Sequence, residues 1–137
     1  MPTLTRACAL ALTYAAINAG CAVALGAWAA HGLGHEAAGG EGGAAATVGA
    51  AARYQMWHAL ALIAAVLLGS RMAEGWATRL CGVAGGCFAA GQIFFVGGLL
   101  ASALAGVGWP APIGGVLFII GWLALAGAGL AALARRA

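Results

Sequence analysis

From Leu80 to Ala134 the chain carries no charged side chain, and Trp109-Pro110-Ala111-Pro112 breaks this run near its middle. Each half is long enough to supply the ~20 residues that carry a helix across a ~30 Å hydrocarbon core. A soluble domain would need a far larger shell to bury two such helices. Composition points the same way: of 137 residues, 64% are hydrophobic and 7% charged, against ~25% charged in ordinary soluble domains. Many of the 24 glycines lie inside the apolar runs, where small residues let helix backbones approach closely. The chain is expected to be all-α, an integral membrane antiparallel four-helix bundle, with residues 1–137 forming a single transmembrane domain.

The spans are expected at about residues 7–30, 54–70, 80–104 and 112–134, the second prolonged at its start by the alanine-rich residues 44–52. Short connections at 71–79 and 105–111 make consecutive helices antiparallel neighbours. The one long connection is the outer loop 31–53. It holds Gly34, Gly39, Gly40, Gly42 and Gly43 with two glutamates, and reads as a surface loop. The apolar run of the first span exceeds the ~7–15 residues of a signal-peptide core. Asn18 also stands where a lipidation signal before Cys21 wants a leucine-like residue, so a retained helix is expected.

All six basic residues are arginines. Arg6, Arg71, Arg79, Arg135 and Arg136 share one side of such a bundle, and Arg53 stands alone on the other. This positive-inside bias places both termini in the cytoplasm and the outer loop outside. The net charge of +3 follows from that topology. Arginines scattered over helix ends are no nucleic-acid footprint, and no nucleic-acid partner is expected. The bilayer is the expected partner, with other membrane-protein subunits or a homo-oligomer beside it.

Cys8 and Cys21 in the first span, and Cys81 and Cys87 in the third, lack C-x-x-C spacing. Cys81 and Cys87 point about 240° apart on a helix and read as small packing residues. Small residues recur every fourth position in Gly82, Gly86 and Ala90, and again in Gly97, Ala101 and Ala105. Such stripes bring helices together. Packing within the bundle is the expected use, and a partner subunit the other.

Polar side chains inside the spans are few. His31 closes the first span, and His58 lies about one turn into the second if that span starts at Tyr54. Tyr54 and His58 share a helix face, and Arg53 is spaced to lie over the Trp57 ring. Ionisable groups near a span are costly and point toward a partner. One reading makes His31, Tyr54, Gln55 and His58 a polar site able to hold a metal, a haem, a quinone headgroup or a lipid. The other has them hydrogen-bond one another and fix helix register. Two histidines without a thiolate or carboxylate are a weak metal set, so no metal site is assigned and the cofactor stays unnamed. Gln92, halfway through the third span, needs a partner in hydrocarbon, and Asn18 at mid-depth in the first span is the expected one. Two amides and no embedded carboxylate make a poor transport pathway. No nucleophile–base pair or carboxylate dyad supports catalysis, and no enzyme is expected. Trp76 and Trp109 fit interfacial anchors, and Pro112 suits a first helical turn.

Three motifs in order carry a resemblance: Gly26-Ala27-Trp28-Ala29-Ala30-His31-Gly32-Leu33, then Tyr54-Gln55-Met56-Trp57-His58-Ala59-Leu60, then Pro112-Ile113-Gly114-Gly115-Val116 with Gly121-Trp122-Leu123. Over roughly residues 25–130 the chain resembles the small four-span membrane family of unknown function that includes eukaryotic transmembrane protein 256 and related bacterial inner-membrane proteins (domain of unknown function family 423). The resemblance implies a multi-pass protein of the bacterial inner membrane and no settled activity. Its motif positions include His31, Tyr54, Gln55 and His58. The chain departs from the family at Val96-Gly97-Gly98-Leu99-Leu100, which lacks the hydroxyls usual there. It departs again at Ala111, where threonine is common, and at Gln92, where an aliphatic residue is usual. The expected role is a structural or accessory subunit, or an assembly factor, of a membrane complex. The alternative is a binding module at the outer end of the bundle.

Overall fold

The computed structural model describes residues 5–33 and 43–134. The expected glycine loop through Gly34–Gly42, with Glu36 and Glu41, lies outside the described residues, as do Arg135 and Arg136. Four helices follow in order: α1 (Arg6–Gly32), α2 (Ala44–Arg71), α3 (Trp76–Ala105) and α4 (Ala111–Ala134), of 27, 28, 30 and 24 residues. All four are long and apolar enough to cross a membrane. At ~1.5 Å per residue even the shortest spans about 36 Å, more than a hydrocarbon core. The protein is an all-α membrane bundle.

Local chemistry sets the helix ends. Thr5 caps α1, its hydroxyl accepting from the Cys8 N–H at 3.2 Å. The alanine-rich stretch joins α2, which starts after Gly43. Gly75, at φ 149°, makes the turn between α2 and α3 that a side chain would resist. Gly106, at φ 71°, closes α3 and lets the Val107 N–H return to Ala101 O at 3.2 Å. Pro112 falls in the first turn of α4, where its missing N–H costs nothing. Two stretches are wound as π-helix: Trp28–Gly32 at the end of α1 and Gln92–Val96 inside α3. Trp76 and Trp109 are 70% and 71% exposed, one at each end of the bundle, as interfacial anchors should be.

Consecutive helices pack side by side, α1 on α2, α2 on α3 and α3 on α4. The two described ends therefore share a side with the α2–α3 turn, hereafter the arginine end. Leu62, Phe88 and Phe118 form the centre of the core, ringed by alanines from all four helices such as Ala15, Ala61, Ala84 and Ala124. Tyr14 ties α1 to α3 by donating its hydroxyl to Ala89 O at 3.2 Å.

The closest backbone approach is between α3 and α4. A Cβ on Gly98 would stand 2.5 Å from Ala111 N, and one on Gly114 2.6 Å from Phe95 Cα. Cβ atoms on Gly91 and Gly121 would stand 2.5 Å and 2.6 Å from the rings of Phe118 and Phe88. Each helix thus contributes two glycines seven residues apart. The stripes at Gly82-Gly86-Ala90 and Gly97-Ala101-Ala105 do not serve this packing. Gly82, Gly86 and Gly97 are exposed, and nothing lies within 4 Å of a Cβ on any of them. Spacing by four identifies a small face, but the side on which a helix finds its neighbour decides whether that face is used.

Two further expectations are corrected. Asn18 does not pair with Gln92. Its Oδ1 accepts from Gln55 Nε2 at 3.0 Å, and its Nδ2 donates to Tyr14 O at 3.0 Å. Equal depth suggested Gln92, but α1 packs on α2, and α2 supplies the amide. Nor does Arg53 cover Trp57. Its Nη1 folds back to within 3.6 Å of where a Gly49 Cβ would be, reaching toward the end of the bundle as a long cation in lipid does. The described cation–π contact is Arg79 over Trp76, 5.6 Å from the ring centroid.

Candidate functional site

Because α2 begins at Ala44, His58 lies about four turns, roughly 21 Å, below the helix start. It is a deep residue, 5% exposed, and not an end residue. His31 lies in the last turn of α1 and is exposed. Ala29 lies against Gly49, 3.9 Å from where a Cβ there would stand, so His31 sits roughly 15 Å above the His58 level. No described hydrogen bond or ring contact joins the two histidines. Gln55 faces α1 through its bond to Asn18. Of the four residues singled out from the sequence, Tyr54 and His58 share a site, and Gln55 and His31 stand apart from it.

His58 is held on every side. Its Nδ1 lies 2.7 Å from Tyr54 O, one turn back on α2, and its Nε2 lies 3.3 Å from Trp122 Nε1 on α4. An indole N–H only donates, so Nε2 must accept. The hydrogen then sits on Nδ1, where it meets the Tyr54 carbonyl. The pattern is that of a neutral imidazole with one tautomer selected. The ring stacks on Phe118 at 3.4 Å between centroids and 8° between planes. Phe88 and Trp122 close it off at 5.7 Å and 6.2 Å.

Between α2 and α4 at this histidine lies a cleft of 660 Å³, lined by Tyr54, Trp57, His58, Phe95, Phe118 and Trp122, with Gly115 also in its wall. Trp57 packs edge-on to Tyr54 at 5.3 Å, and Phe95 lies 4.8 Å from the Tyr54 ring. Tyr54 is 38% exposed into the cleft, and no described hydrogen bond uses its hydroxyl. The walls are flat and apolar, and one phenol is free to donate. Both imidazole nitrogens are already bonded, so the site has no free histidine lone pair to offer haem iron or a metal ion, and neither fits it. Among the described residues no group of three His, Cys, Asp or Glu side chains could hold a metal.

A second groove, also of 660 Å³, lies at the arginine end between the start of α1, the end of α2 and the start of α3, with Cys8, Leu62, Arg71 and Gly82 among its lining. Its hydroxyls are already engaged: Ser70 Oγ donates to Leu67 O at 2.9 Å and Thr78 Oγ1 to Ala73 O at 2.9 Å.

Phe95, Phe118 and Trp122 were not among the candidate site residues, although Trp122 stands in one of the three motifs. Trp122 did carry a signal. It lies well inside α4, away from either interface, and an indole N–H in hydrocarbon needs an acceptor. The two phenylalanines carry none, because their spacing is that of any core face.

A family model described as "Protein of unknown function (DUF423)" matches residues 25–115. A UPF0382 membrane protein of Haemophilus influenzae is 37% identical over 118 residues, covering 84% of this chain and 89% of its own. A UPF0382 membrane protein of Staphylococcus aureus is 39% identical over 117 residues, covering 80% of this chain and 86% of its own. One from Staphylococcus saprophyticus is 36% identical over 113 residues, covering 80% and 88%. No solved structure matches the chain. The matched segment takes in His31, the Tyr54–His58 motif and the Gly91–Gly98 face of α3, and on that match the chain belongs to the DUF423 family of membrane proteins of unknown function.

Proposed function

We propose that the protein is a non-catalytic membrane binding module whose ligand is a flat lipophilic molecule carrying a hydrogen-bond acceptor, of the quinone-headgroup type. The observation that carries this reading is the cleft between α2 and α4, walled by aromatic rings and furnished with the unused Tyr54 hydroxyl. A ring can slide between Phe95 and Trp122 from the lipid, and a carbonyl on it can accept from Tyr54. His58 serves by holding Tyr54 and Trp122 in place and does not bind the guest itself.

The test uses full-length protein in lipid nanodiscs and a short-chain benzoquinone as probe, read by quenching of tryptophan fluorescence. Saturable quenching is expected. It should weaken about 2–10-fold in apparent affinity in Tyr54→Phe, the size of one net hydrogen bond. It should vanish in Gly115→Leu, which fills the cleft. A Cβ there meets only the Phe95 ring, at 3.7 Å, an ordinary contact, so the backbone has room for a side chain, and unchanged circular dichroism checks that the variant keeps its helices. Linear quenching, equal in all three proteins, would reject the reading.

A second reading, an accessory subunit or assembly factor, has its own observation in the outward face of Gly82, Gly86 and Gly97. A small-residue face lets a neighbouring membrane helix approach closely, and the bundle leaves this one uncovered. Native mass measurement after mild-detergent isolation tests it. A stable complex of defined mass should be lost in Gly86→Leu while the bundle itself stays as stable. A monomer in both cases would remove the accessory role.

A further inference from the structure

Amides from three helices come to one level in the middle of the bundle. On the α2–α3 seam, a Cβ on Gly69 would stand 3.1 Å from Cys81 Cβ, and one on Gly85 would stand 3.2 Å from Leu62 Cδ1. These pairs fix an antiparallel register. One heptad beyond Gly85 on α3 is Gln92, and one heptad back from Leu62 on α2 is Gln55. A heptad returns to the same helix face within about 20°, so the register brings Gln55 and Gln92 opposite each other.

Both are buried, at 6% and 2% exposure, and their bonding is incomplete. Gln55 gives Nε2 to Asn18 but has no partner for Oε1, and Gln92 has none for Nε2 or Oε1. Each unmet amide atom is costly in hydrocarbon, and three at one level form a set: two acceptors and one donor group. A direct bond between the glutamines would leave Gln92 Oε1 unmet. One molecule that donates twice and accepts once meets all three. A cation does not fit, because Gln92 Nε2 would face it and no carboxylate lies in the described spans. Neither glutamine borders the two clefts described above and both are buried, so the guest is small and enclosed by protein.

We propose that Gln55 and Gln92 hold a single buried water in the middle of the membrane. The water donates to both Oε1 atoms and accepts from Gln92 Nε2, a bonding number usual for internal waters. It completes a polar thread across three helices. Tyr14 O accepts from Asn18, Asn18 accepts from Gln55, and the water joins Gln55 to Gln92 on α3. Gln92 also opens the π-wound stretch of α3, and such stretches recur at functional sites.

The experiment is solid-state NMR of the full chain in lipid vesicles, following magnetisation transfer from water to glutamine side-chain amides. Transfer is expected to the amides of both Gln55 and Gln92, although neither is near an interface. In Gln92→Leu the transfer to Gln55 is expected to disappear. Should that variant not insert, Gln92→Met keeps the length without the amide and gives the same readout. The proposal is overturned by absence of transfer in the unaltered protein, by transfer to Gln55 that persists without the Gln92 amide, or by a direct Gln92–Gln55 bond in the same spectra.

Discussion

A Cβ at Gly114 would stand 2.6 Å from Phe95 Cα, whereas nothing lies within 4 Å of one at Gly86. The same residue type therefore answers to different physics at two places. Gly114→Ala forces α3 and α4 apart and should cost about 1–3 kcal/mol, the scale of overpacking a tight contact. Gly86→Ala adds a methyl to the lipid-facing side and should be neutral or stabilising by up to about 1 kcal/mol, because alanine loses less backbone freedom in a helix. Denaturation of the two variants in detergent, followed by circular dichroism, measures both, and equal effects would contradict the packing of α3 on α4. His58 gives a second residue-scale expectation. Trp122→Phe removes the donor to Nε2 and leaves a buried acceptor unmet, at a cost of about 1–3 kcal/mol. Imidazole 15N shifts should show the hydrogen on Nδ1 in the unaltered protein and a mixture of tautomers in the variant. A hydrogen on Nε2 in the unaltered protein would refute the assignment.

At the scale of the helix, hydropathy made the four spans legible, because length and the absence of charge suffice to recognise a helix that lipid will accept. The face of each helix was harder to read. Gly82-Gly86-Ala90 has the right spacing for a helix contact, yet the contact uses Gly91 and Gly98 on another side of α3. The π-wound stretch Gln92–Val96 lies between those two glycines, and it shifts every later residue around the axis by an amount that no four-residue pattern reveals. Deleting Ile93, which is 63% exposed, tests this directly. It removes the extra residue of the wide turn, so the stretch can close as α-helix with Gly91 and Gly98 still facing α4. Deleting Val83, 49% exposed in the regular part of α3, instead turns the remainder of the helix by about 100° and carries Gly98 off Ala111. The Ile93 deletion should melt close to the full protein and the Val83 deletion well below it. Similar melting of the two deletions would show that the π-wound stretch does not set the register. Asn18 illustrates the same difficulty. Its depth was legible and its neighbour was not, since choosing between Gln92 and Gln55 requires knowing that α1 lies on α2.

Across the whole molecule the polar chemistry is layered. The described arginines at the α1 start and on either side of the α2–α3 turn gather at one end, the amide thread occupies the middle, and the aromatic cleft opens between the middle and the other end. The depth of His58 was misjudged from sequence because the alanine-rich stretch before Tyr54 carries no hydropathy edge to mark where α2 begins. Once α2 starts at Ala44, the Tyr54–His58 pair moves from the rim into the bilayer, and a guest there must come from lipid. Orientation is the property that decides which leaflet supplies it. Arg6, Arg71 and Arg79 lie at the end shared by the start of α1 and the α2–α3 turn, and Arg53 lies toward the opposite one, so the positive-inside bias predicts that the cleft opens to the outer leaflet. Single cysteines, introduced after the native ones are replaced by serine or alanine, provide the measurement. Ala73→Cys in the α2–α3 turn should react with a membrane-impermeant maleimide only after the cells are opened, and Gly43→Cys at the start of α2 should react on intact cells. Reversed labelling would turn the cleft to the inner leaflet and restrict its guest to lipids available from the cytoplasmic side. Labelling of both sites on intact cells would mean that the protein inserts in two orientations, and that its six arginines are too few to choose between them.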